Sequence, residues 1–170
     1  GFVGYFGHWV DLDLILETAR LCPQHEFVLA GDGPAREGLE ARTQEVKNIR
    51  FTGVLPHEKV FEEIRLMDLG LIPFKINEVT DRASPVKLFE YWAMGVPVLA
   101  TACLEIRLVA ETAPAGALSF FEGPAELARK IDELAHRPEA RRHSRGICLR
   151  AVQPYDWKTL GARVEEILKG

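Results

Sequence analysis

The stretch Ser84-Pro85-Val86-Lys87-Leu88-Phe89-Glu90-Tyr91-Trp92-Ala93-Met94-Gly95-Val96-Pro97-Val98-Leu99-Ala100-Thr101 reads as one helix followed at once by one strand. Ser84 is a good N-cap, Pro85 suits the first helical position, and Gly95 suits the C-terminal stop. The following run, residues 96–101, is apolar, with its proline near the start, where a strand tolerates one. Such a strand is buried on both faces, as in a parallel sheet covered by helices.

The same alternation continues on either side. Residues 2–6, 26–30, 48–53, 68–73 and 117–121 are short apolar runs read as strands. Residues 11–21 place Leu12, Ile15, Leu16 and Ala19 at helical spacing, with Asp11 as a cap and Pro23 as a stop. Gly31-Asp32-Gly33-Pro34 is a turn signal, and Pro34 suits the first turn of a following helix. A helix is expected over residues 56–67, with Val60, Phe61 and Ile64 on one face, and a polar turn over 77–82. From Pro124 onward the pattern is helical in three pieces, broken at Pro138 and Pro154. Repeated strand–helix units predict an α/β fold. It is a doubly wound, mostly parallel, six-stranded Rossmann-like sheet with helices on both faces, in the order 3-2-1-4-5-6. Residues 1–170 form one domain, and ligands are expected at the carboxyl ends of the strands.

Bulk properties narrow the function. The chain has 170 residues, 47% hydrophobic and 27% charged, enough for one domain with a real core. A net charge of −4 gives no broad electrostatic argument for nucleic acid, and none is expected as a partner. No apolar run reaches the roughly 20 residues of a membrane span. The opening Gly1-Phe2-Val3, with no initiator methionine and no polar leader, reads as a piece cut from a longer protein. Cys22, Cys103 and Cys148 form no CxxC pair and read as small hydrophobes in a reducing compartment.

Chemistry concentrates in the quoted stretch. A helix N-terminus offers open N–H groups and a positive dipole end for phosphate. Lys87 in the first turn opposes that dipole, a cost that makes sense if it meets an anion. Glu90 lies on the same face at i+3 and can accept hydrogen bonds from two hydroxyls. The pair suits a ribose-diphosphate; the plainer reading is a surface ion pair. Gly4 and Gly7 bracket the end of the first strand, yet the dinucleotide fingerprint Gly-x-Gly-x-x-Gly is missing there. Gly31-Asp32-Gly33 is either a ligand loop or a tight turn. His8 and His57 fall on ligand-side loops. His143 belongs to a basic helix face with Arg137, Arg141, Arg142 and Arg145. No histidine pair has metal-ligand spacing, and no Gly-x-Ser-x-Gly elbow occurs.

These residues resemble a known family. Pro85-x-Lys87-Leu88-Phe89-Glu90-Tyr91-x-Ala93-x-Gly95-x-Pro97-Val98-x-Ala100-Thr101 resembles the donor-site motif of group 1 glycosyltransferases of the GT-B fold, and is most similar to the bacterial cell-surface polysaccharide branch. Val3-Gly4-Tyr5-Phe6-Gly7, Phe27-Val28-Leu29-Ala30-Gly31-Asp32-Gly33-Pro34, Asn48-Ile49-x-Phe51-x-Gly53 and Tyr155-x-Trp157 resemble further segments of it in order. The resemblance is to the C-terminal, nucleotide-sugar-binding domain alone.

It implies that Glu90 holds ribose hydroxyls, and that Lys87 and the amides around Ser84, Pro85 and Val86 meet the diphosphate. Gly7 would admit the diphosphate to the backbone, and Leu55 and His57 would flank the base. The position eight residues before Glu90, where many retaining members carry a glutamate, is Arg82, with Asp81 beside it. These two are the candidates near the donor sugar. No metal and no cofactor are implied; the partners are a nucleotide sugar and a glycan or lipid-linked acceptor reached through an N-terminal domain. The implied setting is cytoplasmic, at the inner face of the membrane for a lipid-linked acceptor, with the isolated domain inactive. Two other readings stay open: a sugar epimerase of related fold, and a non-catalytic flavodoxin-like binding module.

Overall fold

Neighbouring strand residues point to opposite faces, and in four of the six strands both faces are buried, the two outer strands being only partly so. The computed structural model describes residues 1–169, apart from the side chains of Glu37, Glu40, Pro138, Ala140, Arg141 and Arg142. Strands β1 (Phe2–Val3), β2 (Phe27–Ala30) and β3 (Ile49–Gly53) form one parallel ladder in the order β1-β2-β3. Strands β4 (Gly70–Ile72), β5 (Val98–Ala100) and β6 (Leu118–Phe120) form a second, in the order β4-β5-β6. The expected single sheet is therefore two three-stranded sheets. They meet at the short β1 edge, where the Leu71 N–H donates to the Gly1 carbonyl at 2.8 Å and the Gly1 amino group to the Leu69 carbonyl at 2.7 Å. Read across that seam the order is 3-2-1-4-5-6, and the direction of winding reverses between β1 and β4.

Phe2, Leu29, Leu71 and Leu99 face one core, formed with α1 (Leu12–Leu21), α2 (Arg36–Arg42) and α7 (Gly123–Ala135). Val3, Ala30, Ile72, Val98 and Ala100 face the other. There they meet α3 (His57–Leu66), α5 (Val86–Ala93), α6 (Leu104–Thr112) and α8 (Pro138–Ala151). This period-two division is why the strands read as unbroken apolar runs.

Several elements follow local signals. The Asp11 carboxylate accepts from the Leu14 N–H at 3.0 Å and starts α1. Gly95 ends α5 in a Schellman arrangement: its N–H donates to Trp92 and the Val96 N–H to Tyr91, both at 2.9 Å. Its φ of +76° is the left-handed conformation that this motif needs and that glycine adopts at little cost. Pro138 and Pro154 separate α7, α8, a 3₁₀ turn (Gln153–Tyr155) and α9 (Trp157–Lys169). The His143 segment is α8; of its expected basic face, Arg141 and Arg142 lie outside the described side chains.

Other expectations are corrected. The polar turn holds a short helix, α4 (Glu78–Asp81), because Asn77 and Thr80 cap it reciprocally. Helix α5 starts at Val86, so Pro85 occupies the cap position and Ser84 lies outside; no side chain caps the helix. The Leu88 N–H reaches the Pro85 carbonyl at 2.9 Å, which makes Pro85 the first acceptor of the helix. Helix α6 had no counterpart in the sequence reading. Among the described residues no helix is long and apolar enough to cross a membrane.

The α1–β2 connection is tied to α7 by Asp132, which accepts from Gln24 Nε2 at 3.0 Å and lies 3.3 Å from His25 Nε2. The Gln24 hydrogen bond, then that of His25, holds the Asp132 carboxyl below its ordinary 3.8. Because the folded value is depressed, this contribution is present above pH 3.8 and is lost as pH falls through the folded value. Urea midpoints of the wild type and Asp132→Asn should therefore converge below pH 4. A gap that stays constant from pH 5 to pH 3 would contradict this account.

Candidate functional site

Helix α5 faces two ways. Leu88, Tyr91 and Trp92, spaced i, i+3 and i+4, are fully buried. Tyr91 locks the helix to β1: its hydroxyl accepts from the Val3 N–H at 3.0 Å. Burial raises the Tyr91 phenol well above its usual range, so it stays protonated. Its ring lies against Gly70, where a β-carbon would fall 2.7 Å from it.

The other side carries Lys87 and Glu90. Lys87 Nζ lies 2.5 Å from Glu90 Oε2, with the side chains 31% and 22% exposed. The Lys87 stem runs over Gly4, the residue after β1; a β-carbon on Gly4 would stand 4.0 Å from Lys87 Cε. The pair therefore sits above the seam between β1 and β4, where open α/β sheets form their ligand crevice. Helix stability does not explain it. Lysine in a first turn opposes the dipole, and lysine N-terminal to glutamate is the weaker order. The first amides of α5, on the same helix, have no side-chain cap.

The remaining predicted residues divide. The space a side chain would take at Gly7 is filled by the Trp9 ring, 2.5–2.6 Å from the β-carbon position, while Gly4 adjoins Lys87. Asp81 serves the fold: its carboxylate accepts from the Leu104 N–H at 3.0 Å and so starts α6. Arg82 is exposed at the end of α4. Leu55 packs partly into the core, and His57 meets Phe61 edge-on with ring centroids 5.0 Å apart. Gly31-Asp32-Gly33 is a packing turn, since its backbone touches that of residues 4–6.

Sequence reasoning missed Arg36. Its guanidinium lies 3.6 Å from Asp32 and 5.9 Å from the Phe51 ring centroid, bridging the loop after β2 and strand β3. The i,i+4 spacing from Asp32 was the available signal. Also missed was a cleft of about 250 Å³ lined by Gly7, His8, Asp13, Arg42 and Lys75 among others, with Arg42 paired to Asp13. A larger cleft of about 370 Å³ opens at the amino ends of the strands, away from the crevice, and is edged by the Arg50–Glu26 and Arg50–Glu63 ion pairs.

The family model described as glycosyl transferases group 1 matches residues 1–137. The chain belongs to the group 1 glycosyl transferases. Among curated relatives, the putative teichuronic acid biosynthesis glycosyltransferase TuaH of Bacillus subtilis (strain 168) is 31% identical over 104 residues, 59% of this chain and 26% of that protein. The match thus spans about a quarter of the relative's length. Solved structures of low identity share the fold. The catalytic domain of cholesterol-alpha-glucosyltransferase from Helicobacter pylori superposes with a TM-score of 0.75 at 14% identity, covering 91% of this chain and 96% of that one. Anabaena Alr3699/HepE in complex with UDP superposes at 0.79 and 18% identity, covering 99% of this chain and 48% of that one. This glycosyl transferase domain thus has the Rossmann-like architecture of one GT-B half.

Proposed function

We propose that this chain is the donor-binding half of a sugar transferase. It takes a nucleoside diphosphate sugar in the β1/β4 crevice and presents the sugar to a glycan or lipid-linked acceptor held by a second half. The observation that carries the reading is the Lys87–Glu90 pair above Gly4 at the uncapped start of α5. A diphosphate there would draw Lys87 away from Glu90, freeing the carboxylate for ribose hydroxyls. The backbone N–H groups of Ser84 and Val86 would share the phosphate charge, since Pro85 has none to give. Lys87 and the helix dipole then stabilise the diphosphate as it leaves, with no metal required. Leu55 and His57 lie toward the base in this reading, and Asp81 and Arg82 toward the transferred sugar. Uridine is the base to test first, because the HepE structure holds UDP and a further crystal of it holds UDP-glucose.

Calorimetric titration with UDP, GDP and ADP should show preference for one diphosphate. Lys87→Met and Glu90→Gln should each weaken it about tenfold, the size of one charge-assisted hydrogen bond. Unchanged affinity in both folded variants would sink the reading.

A further inference from the structure

The loop after β1 carries two aromatic rings that the core does not use. Tyr5 is 58% and Trp9 43% exposed, and their centroids lie 5.8 Å apart with a tilt of 34°. Two large exposed rings in five residues forgo substantial burial, so the arrangement asks for a ligand.

Their geometry is held in place. Gly7, lacking a β-carbon, lets the Trp9 ring settle against its backbone. The Val10 N–H donates to the Gly7 carbonyl at 3.1 Å, and the Lys75 N–H donates to the Trp9 carbonyl at 2.8 Å. The loop is thus stitched to residues 73–75, and the Trp9 ring is pre-positioned before any ligand arrives.

We infer that Tyr5 and Trp9 form a stacking platform for a pyranose ring. This rests on the donor-site reading above. A pyranose has an apolar face of axial C–H groups and a polar rim of hydroxyls. It therefore needs flat aromatic surface flanked by donors and acceptors, with the aromatics supplying area and a polar handle. The flank is present: His8, between the two rings in the loop, and Lys75, whose N–H donates to the Trp9 carbonyl, line one cleft of about 250 Å³. Position agrees as well. Tyr5 follows Gly4, the residue that the Lys87 stem covers, so a ring on the platform lies next to the proposed diphosphate. An aromatic patch meant for a protein partner would have little use for a lysine and a histidine beside a concave cleft.

The ring could be the donor's sugar or the acceptor's, and one experiment separates them. The chain, Trp9→Leu and Tyr5→Ser are titrated with UDP and with UDP-glucose. Saturation-transfer NMR is then run with methyl α-D-glucopyranoside, with and without UDP. UDP affinity should stay within twofold in both variants. A three- to tenfold loss confined to UDP-glucose assigns the platform to the donor sugar. Loss of more than half the transfer to the glucoside assigns it to the acceptor. Sugar contacts unchanged in both folded variants would overturn the proposal, and so would a fall in affinity for UDP itself, since the rings would then serve the nucleotide. Should Trp9→Leu misfold, the more exposed Tyr5→Ser carries the test. Absence of UDP binding by the wild type would defeat the donor-site reading, while the glucoside measurement without UDP still judges the platform.

Discussion

Gly31→Ala should destabilise the domain by at least about 3 kcal/mol, enough to remove a large part of a typical domain's stability. Gly31 has φ +138°, a region that costs a residue with a β-carbon about 1–3 kcal/mol in strain alone. A β-carbon there would also stand 1.8 Å from the Gly4 carbonyl oxygen and 2.9 Å from its carbon. Neither backbone can retreat cheaply. The Gly4 N–H donates to Ala30 and the Gly31 N–H to Gly53, both at 2.9 Å, so moving either breaks a connection between strand ends. Gly38→Ala provides the contrast. It lies within α2 with nothing inside 4 Å of the new carbon, and should stabilise by about 0.5–1 kcal/mol through helix propensity and a less flexible unfolded chain. Equilibrium urea unfolding of both variants decides the matter. A Gly31→Ala protein within about 1 kcal/mol of wild type would show that the two loops are not in contact as described.

Trp92→Ala should cost about 3–5 kcal/mol, the usual range for truncating a buried aromatic. Trp92 is fully buried on the inner face of α5, with the Phe89 and Tyr155 rings 6.1 and 6.5 Å away. Its indole N–H donates to the Ala117 carbonyl at 2.9 Å, tying α5 to the entry of β6. Trp92→Phe should cost less, about 1–2 kcal/mol, because the Ala117 carbonyl still accepts from the Val98 N–H at 3.0 Å. The two substitutions separate packing from hydrogen bonding, and thermal or urea unfolding reads both. Equal losses would mean that the hydrogen bond, not the ring volume, fastens α5.

Much of the site's seat was legible because it is local. The apolar spacing of Leu88, Tyr91 and Trp92 against Lys87 and Glu90 defines a two-faced helix before any coordinates are known. Gly95 marks its end for a reason confined to a few residues. Helix α6 went unread because its start is supplied from another segment: Asp81, not a neighbouring residue, accepts from Leu104. At Gly7 the free side receives the Trp9 ring from two residues on, which no spacing announces. A glycine reports that space is needed, not what fills it.

By itself, the sequence determined the alternation of strands and helices, the burial of the strands on both faces, and the placing of Lys87 and Glu90 on one helix face. Each of these follows from periodicity and capping within a dozen residues. Only the tertiary structure decided the contact of Gly31 with Gly4, the reach of Lys87 over the first loop and the bridging by Arg36 of the loop after β2 and strand β3. It alone also paired Tyr5 with Trp9 and brought His8 and Lys75 to one cleft. Those arrangements depend on where separate loops converge at the carboxyl ends of the sheet. That convergence is set by strand order and packing across the whole domain, which local spacing does not encode.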